Sequence, residues 1–137
     1  MKIVRWSRRG VLAALGLFTL PAAWTTSCAR PLAESRARRS ALAQPLVMLL
    51  RNRSWARALG MAYLWRCDPR PDQLELVDRV LTQDYQRRLV GAPRWRLRRV
   101  VRERIEQDYS RGRPVPVAGW LLSDTEASLC ALAVKAP

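Results

Sequence analysis

An uncharged, largely apolar run from Gly10 to Ala29 opens the pattern, and beyond Arg30 short apolar stripes recur between arginines, broken by proline and glycine. Leu32 to Ala43 reads as a weak, arginine-rich amphipathic helix that Pro45 interrupts, and Leu46 to Leu50 as a short apolar turn. Ser54 is placed to cap a helix from Trp55 to Arg66 whose inner face holds Leu59, Ala62, Tyr63 and Trp65. Asp68-Pro69-Arg70-Pro71 is expected to turn, because proline lacks the amide proton a helix needs.

Asp72, with Glu75 three residues on, marks the next helix start, and Leu74, Val77, Leu81 and Tyr85 recur as a core stripe running toward Gly91-Ala92-Pro93. From Arg94 to Ser110, Leu97, Val101, Ile105 and Tyr109 repeat every four residues. Arg94, Arg98, Arg99, Arg102 and Arg104 fill the other faces, which makes the outer surface cationic. Gln83-Asp84-Tyr85 and Gln107-Asp108-Tyr109 give these two helices similar endings, with the tyrosines closing the core and the aspartates pairing with arginine.

Arg113-Pro114-Val115-Pro116-Val117 alternates valine with proline and must be extended, as an edge strand or a strap. Ser123 and Glu126 then form a capping box, with Asp124 at the positive end of the helix dipole. Leu122 is placed to staple onto Ala127, and Leu129, Cys130 and Ala133 continue the apolar face. The expected fold is all-α, a small bundle of three to four helices with an extended Pro/Val strap before the last one.

The apolar opening has the layout of an export leader. Lys2, Arg5, Arg8 and Arg9 form a positive head, Gly10 to Leu20 an apolar centre, and Ala22 to Ala29 a stretch of small and polar residues. Ser7, Arg8, Arg9 and Leu12 match the twin-arginine signal, with Val11 in place of its Phe and Ala13 in place of its Lys. Arg30, Arg36, Arg38 and Arg39 stand just beyond the run against the single Glu34, a flank that resists threading of an unfolded chain and suits export of a folded one. Cleavage after Ala29 is the first expectation for the leader's end, lipidation of Cys28 the second, and retention as an anchor the third. The chain therefore divides into a signal peptide over 1–29, a basic arm with a short helix over 30–52, and a helical domain over 53–137.

Charge and cysteine narrow the class. The leader holds four of the 25 Lys and Arg residues and none of the 11 Asp and Glu residues, so the remainder carries +10 of the formal +14. Outside the cytoplasm such a surplus meets anionic lipid, envelope polysaccharide or an acidic partner rather than nucleic acid. With Cys28 removed or lipidated, Cys67 and Cys130 remain. They either form a bridge, worth ~4 kcal/mol for a loop of that length, or stay as two separate thiols.

The chain has no histidine, which removes the commonest general base and the Ser-His and Cys-His nucleophile pairs. It has no glycine-rich phosphate loop and no Cys-x-x-Cys. Asp68, Asp72, Glu75 and Asp78 cluster, but at a helix start, where capping accounts for them. No catalytic, cofactor or metal residue is expected. Tryptophan stands out instead: there are six, against one Phe, and Trp55, Trp65 and Trp95, near arginines, lie beyond the leader with Trp120, as core pieces or as interface anchors.

Tyr109, Gly112, Val115, Val117, Gly119-Trp120, Leu122-Ser123, Thr125-Glu126 and Leu129-Cys130-Ala131-Leu132 resemble the C-terminal signature of a group of small exported bacterial proteins with a twin-arginine leader. Ala58-Leu59-Gly60 with Tyr63-Leu64 is similar to that group's first helix, and Ala118 replaces the acidic residue expected before Gly-Trp. The resemblance spans roughly residues 55 to 132, carries no established activity, and implies fold and export, with Gly119, Trp120, Ser123 and Glu126 as the capping and interaction motif. Two functions are expected. One is a non-catalytic small subunit or escort of a larger oxidoreductase, such as a dehydrogenase, in the periplasm or at the membrane. The other is a stand-alone envelope protein binding an anionic surface through its arginines.

Overall fold

The computed structural model describes residues 29–67, 70–112 and 114–136. The leader, with Ser7, Arg8, Arg9, Leu12 and Cys28, lies outside the described residues, as do Asp68, Pro69 and Arg113. The all-α expectation holds, with more helices than three or four: α1 Ala29–Val47, α2 Arg53–Arg66, α3 Gln73–Val80, α4 Gln83–Leu89, α5 Arg94–Ser110 and α6 Asp124–Lys135. A short hairpin, β1 Val115–Val117 and β2 Trp120–Leu122, precedes α6.

Helix α6 organises the rest. Thr125 and every residue from Ala127 to Ala133 are buried, more than the single face of Leu129, Cys130 and Ala133. A helix that is apolar all round must be enclosed. It lies mainly against α2 and α3, with α5 and α1 completing the housing. Helix α2 turns Ala56, Gly60, Tyr63 and Leu64 toward it, a spacing of four, three and one that makes one stripe. This corrects the expected α2 face, since Trp65 points to solvent and Leu59 is half-buried. It also corrects the cap, because Asn52 Oδ1 accepts from the Trp55 amide at 3.1 Å and Arg53 and Ser54 already belong to the helix.

Pro45 does not interrupt α1. The ring removes one amide donor, yet the Met48 amide still donates to the Gln44 carbonyl at 3.0 Å, and Leu42, Ala43, Leu46 and Val47 form a continuous buried face across it. Burying those side chains outweighs one lost hydrogen bond. The 30–52 segment is therefore not a separate arm, because its second half belongs to the common core.

The single helix expected from Asp72 to Gly91 is two. Asp72 Oδ1 accepts from the Glu75 amide at 2.7 Å as expected, but the backbone becomes extended at Leu81 and Thr82 before α4 begins. The carbonyl of Leu81 is satisfied by the buried Gln86 carboxamide at 2.8 Å, which also donates to Asp78 Oδ1 at 2.8 Å. The break lets Leu76, Val77, Val80, Leu81 and Leu89 all reach the core, which one straight stripe would not allow. It also separates the two similar tripeptides: Gln83-Asp84-Tyr85 starts α4, whereas Gln107-Asp108-Tyr109 ends α5.

The Pro/Val segment is one strand of the hairpin, with Val115 opposite Leu122 and Val117 opposite Trp120. Two residues connect the strands, and both have positive φ, 47° at Ala118 and 85° at Gly119, as a two-residue turn matching strand twist requires. Glycine adopts this freely; alanine carries a Cβ that disfavours it. Replacing Ala118 by Asn, which tolerates the left-handed region, is expected to stabilise the fold by about 0.5–1 kcal/mol in urea denaturation. A loss of stability would show that the turn is not under this constraint.

Candidate interaction surface

Polar side chains gather at the N-terminus of α6, where unpaired backbone amides need acceptors. Ser123 Oγ accepts from the Glu126 amide at 3.1 Å, and Glu126 Oε2 accepts from the Ser123 amide at 2.9 Å, completing the expected capping box. Tyr109 donates its hydroxyl to the same carboxylate oxygen at 2.8 Å, which raises the tyrosine's pKa. Asp108 is buried without an arginine partner. Its Oδ2 accepts from the Thr125 amide at 2.9 Å and from Thr125 Oγ1 at 2.6 Å, fastening the end of α5 to the start of α6. The aspartates were expected to pair with arginine; only exposed Asp84 does, with Arg87 at 4.0 Å.

A second chain of contacts reaches the same end from α3. Glu75 holds Arg79 at 2.8 Å, Arg79 donates to the Tyr63 hydroxyl at 3.0 Å, and Tyr63 lies 3.4 Å from Asp124. Burial first, and the Asp124 charge second, push the Tyr63 phenol upward. A recess of about 370 Å³ beside this cluster is lined by Arg104, Asp108, Arg111, Val115 and Asp124. Asp108 is committed to capping there, and Asp124 stands at the first residue of the helix near Tyr63. The cluster fastens the start of α6 to the end of α5 and, through Tyr63 and Arg79, to α2 and α3. The carboxylates at the start of α3 are likewise engaged: Asp72 caps, Glu75 pairs with Arg79, and Asp78 pairs with Arg39 at 2.8 Å. Among the described residues no three His, Cys, Asp or Glu side chains converge as metal ligands, and no helix is long and apolar enough to cross a membrane.

The tryptophans answer the question the sequence leaves open. Trp55, Trp65, Trp95 and Trp120 are exposed at 60%, 70%, 62% and 57%, so none is a core piece. On α2, Trp55, Ala58, Met61 and Trp65 are exposed and recur at spacings of three, three and four, opposite the stripe that faces α6. The outward face of this helix is thus apolar over ~15 Å, in a chain of which 26% of residues are charged. Arg70 stacks over Trp65 at 4.7 Å. Arg66, next in sequence, donates to the Pro116 carbonyl of β1, which brings exposed Trp120 and Leu121 of the hairpin to the Trp65 end of the domain. Of the expected motif, Gly119 shapes the turn, Trp120 is presented to solvent, and Ser123 and Glu126 cap α6.

Cys67 and Cys130 stand as free thiols. Cys130 packs against Gly60, and Cys67 lies at the far end of α2, ~10 Å of helix beyond Gly60. A disulfide needs its Cα atoms within ~7 Å. Burial, then the Glu126 charge, push the Cys130 thiol up to about 11. The folded state thus holds this proton more tightly than the unfolded chain. Its contribution is complete below the ordinary thiol range near pH ~8.5 and is lost as pH rises toward the folded value. Stability is expected to fall by roughly 2–3 kcal/mol between those limits, and Cys130→Ala to remove that part of the loss. At pH ~8, alkylation followed by mass spectrometry should mark half-buried Cys67 and spare Cys130 until the fold opens; equal labelling, or a Cys67–Cys130 bridge, would contradict this.

No family model, curated protein or solved structure matches the chain.

Proposed function

We propose that the protein is a non-catalytic exported accessory protein, a small subunit or escort that rides with a larger, cofactor-bearing oxidoreductase in the periplasm or at its membrane. The observation that carries the binding role is the outward face of α2, where Trp55, Met61 and Trp65 stand in solvent together with Ala58. Exposed apolar area of this kind costs solubility unless something covers it, and tryptophan is the residue most enriched in interface hot spots. The leader supplies the address: Ser7-Arg8-Arg9 with Leu12 favours a route that takes folded cargo. Redox enzymes are frequent cargo on that route, and this histidine-free chain supplies no reaction of its own to explain using it.

A second reading, a stand-alone basic protein on an anionic envelope surface, is favoured by α5, where Arg94, Arg96, Arg98, Arg99 and Arg102 are all exposed.

The full chain, tagged at its C-terminus and purified from periplasmic and membrane fractions of a bacterium that makes it, tests the first reading. It should bring down one larger subunit in equal amount, with a redox cofactor visible in the absorption spectrum. Trp55→Ser with Trp65→Ser should lower that recovery at least ~10-fold, since hot-spot residues carry about 2 kcal/mol or more each, while leaving the melting temperature within a few degrees. Absence of an equal partner, or undiminished recovery by the double variant, contradicts the reading.

A further inference from the structure

Between the connection that links α1 to α2 and the first half of α5 runs an open groove of about 500 Å³. One wall is apolar, Met48, Leu49 and Leu50, with Arg51 beside it; the other is Arg94, Arg98 and Arg102. Spacing of four residues puts these three arginines on one face of α5 in steps of ~6 Å. Arg94 reaches across and donates to the Met48 carbonyl, which joins the two walls.

The charges that line the groove stand without carboxylate partners among the described residues. Arg39, Arg79, Arg87 and Arg99 each have a carboxylate partner. Among the described residues, Arg51, Arg98 and Arg102 have neither ion pair nor hydrogen bond, and no acidic side chain lines the groove. Four guanidinium groups around one recess repel each other unless an anion joins them. Guanidinium is also the cation whose fork of N–H donors fits phosphate oxygens.

The apolar wall decides which phosphate. A free ion gains nothing from Met48, Leu49 and Leu50, whereas the glycerol and first methylenes of a phospholipid would cover them. Trp95, exposed at 62%, follows Arg94 on α5 and lies on the same side as Arg98 and Arg102, the placement of an aromatic ring at a membrane interface. We infer that this groove binds the phosphate headgroup of an anionic phospholipid, with Arg98, Arg102 and Arg51 on the phosphate and Met48, Leu49 and Leu50 against the lipid's glycerol end. This deepens the second reading above and is independent of partner docking on α2.

The test is co-sedimentation of the full chain with vesicles of phosphatidylglycerol and phosphatidylcholine in equal parts, and with phosphatidylcholine alone, at about 150 mM salt. Preference for the anionic vesicles is expected. Arg98→Glu with Arg102→Glu should weaken it roughly 10- to 30-fold, and Arg98→Gln with Arg102→Gln, the milder pair for comparison of melting curves, by at least ~5-fold. Arg36→Glu with Arg88→Glu makes the same change in net charge away from the groove and should cost less than ~3-fold. Trp55→Ser with Trp65→Ser should keep the vesicle binding, so failure here and failure of the partner reading are told apart. Four results overturn the inference: equal loss in the groove and control pairs, which means net charge alone; equal binding to both vesicle types; groove-dependent binding of inorganic phosphate without vesicle binding; or tighter groove-dependent binding of a single-stranded oligonucleotide.

Discussion

The fold depends on how closely α2 approaches α6. A Cβ placed on Gly60 would lie 2.2 Å from the Cys130 carbonyl oxygen and 2.8 Å from the Ala131 nitrogen, so the two helices meet backbone to backbone at this point. Small residues on both sides, Ala56 on α2 and Ala127 and Ala131 on α6, extend the contact along the helices. Because α6 is apolar on nearly every side, it is the post around which α1, α2, α3 and α5 stand. Its free N-terminal amides are fastened by Ser123, Glu126 and Asp108, so the post is held at its polar end as well as along its length.

That arrangement decides what is left outside. The interior is filled by leucine, valine and alanine, with Leu76, Leu81, Leu97, Leu132, Val77 and Val80 among the wholly enclosed side chains. None of the four tryptophans among the described residues enters it. Their exposure, with Met61 between two of them, is what moves the functional reading from a generic basic domain toward a binding module. Arginine takes the remaining surface, partly paired with carboxylates and partly, along α5, unpaired.

Much of the architecture was legible along the chain. The period-four stripe and its flanking Gly91-Ala92-Pro93 fixed α5 at Arg94 to Ser110, and the Ser123–Glu126 and Asp72–Glu75 spacings marked two helix starts. The misses have physical reasons. Pro45 signals a break, but the burial of Leu46 and Val47 carries the helix through it. The bend at Leu81 has no proline or glycine to announce it, and depends on Gln86 reaching back to a carbonyl. The hairpin was hidden because Ala118 stands where a two-residue turn usually shows Asn, Asp or Gly. Of the surface, the sequence supplied the tryptophans and arginines; which face each occupies followed only from seeing α6 claim the opposite side of α2.

The closest test of this account is thermal unfolding of Gly60→Ala. One methyl group with no room between two backbones should cost at least ~3 kcal/mol and lower the melting temperature by more than ~10 °C. A variant melting within about 2 °C of the native chain would contradict the claim that contact at Gly60 holds the helices around α6.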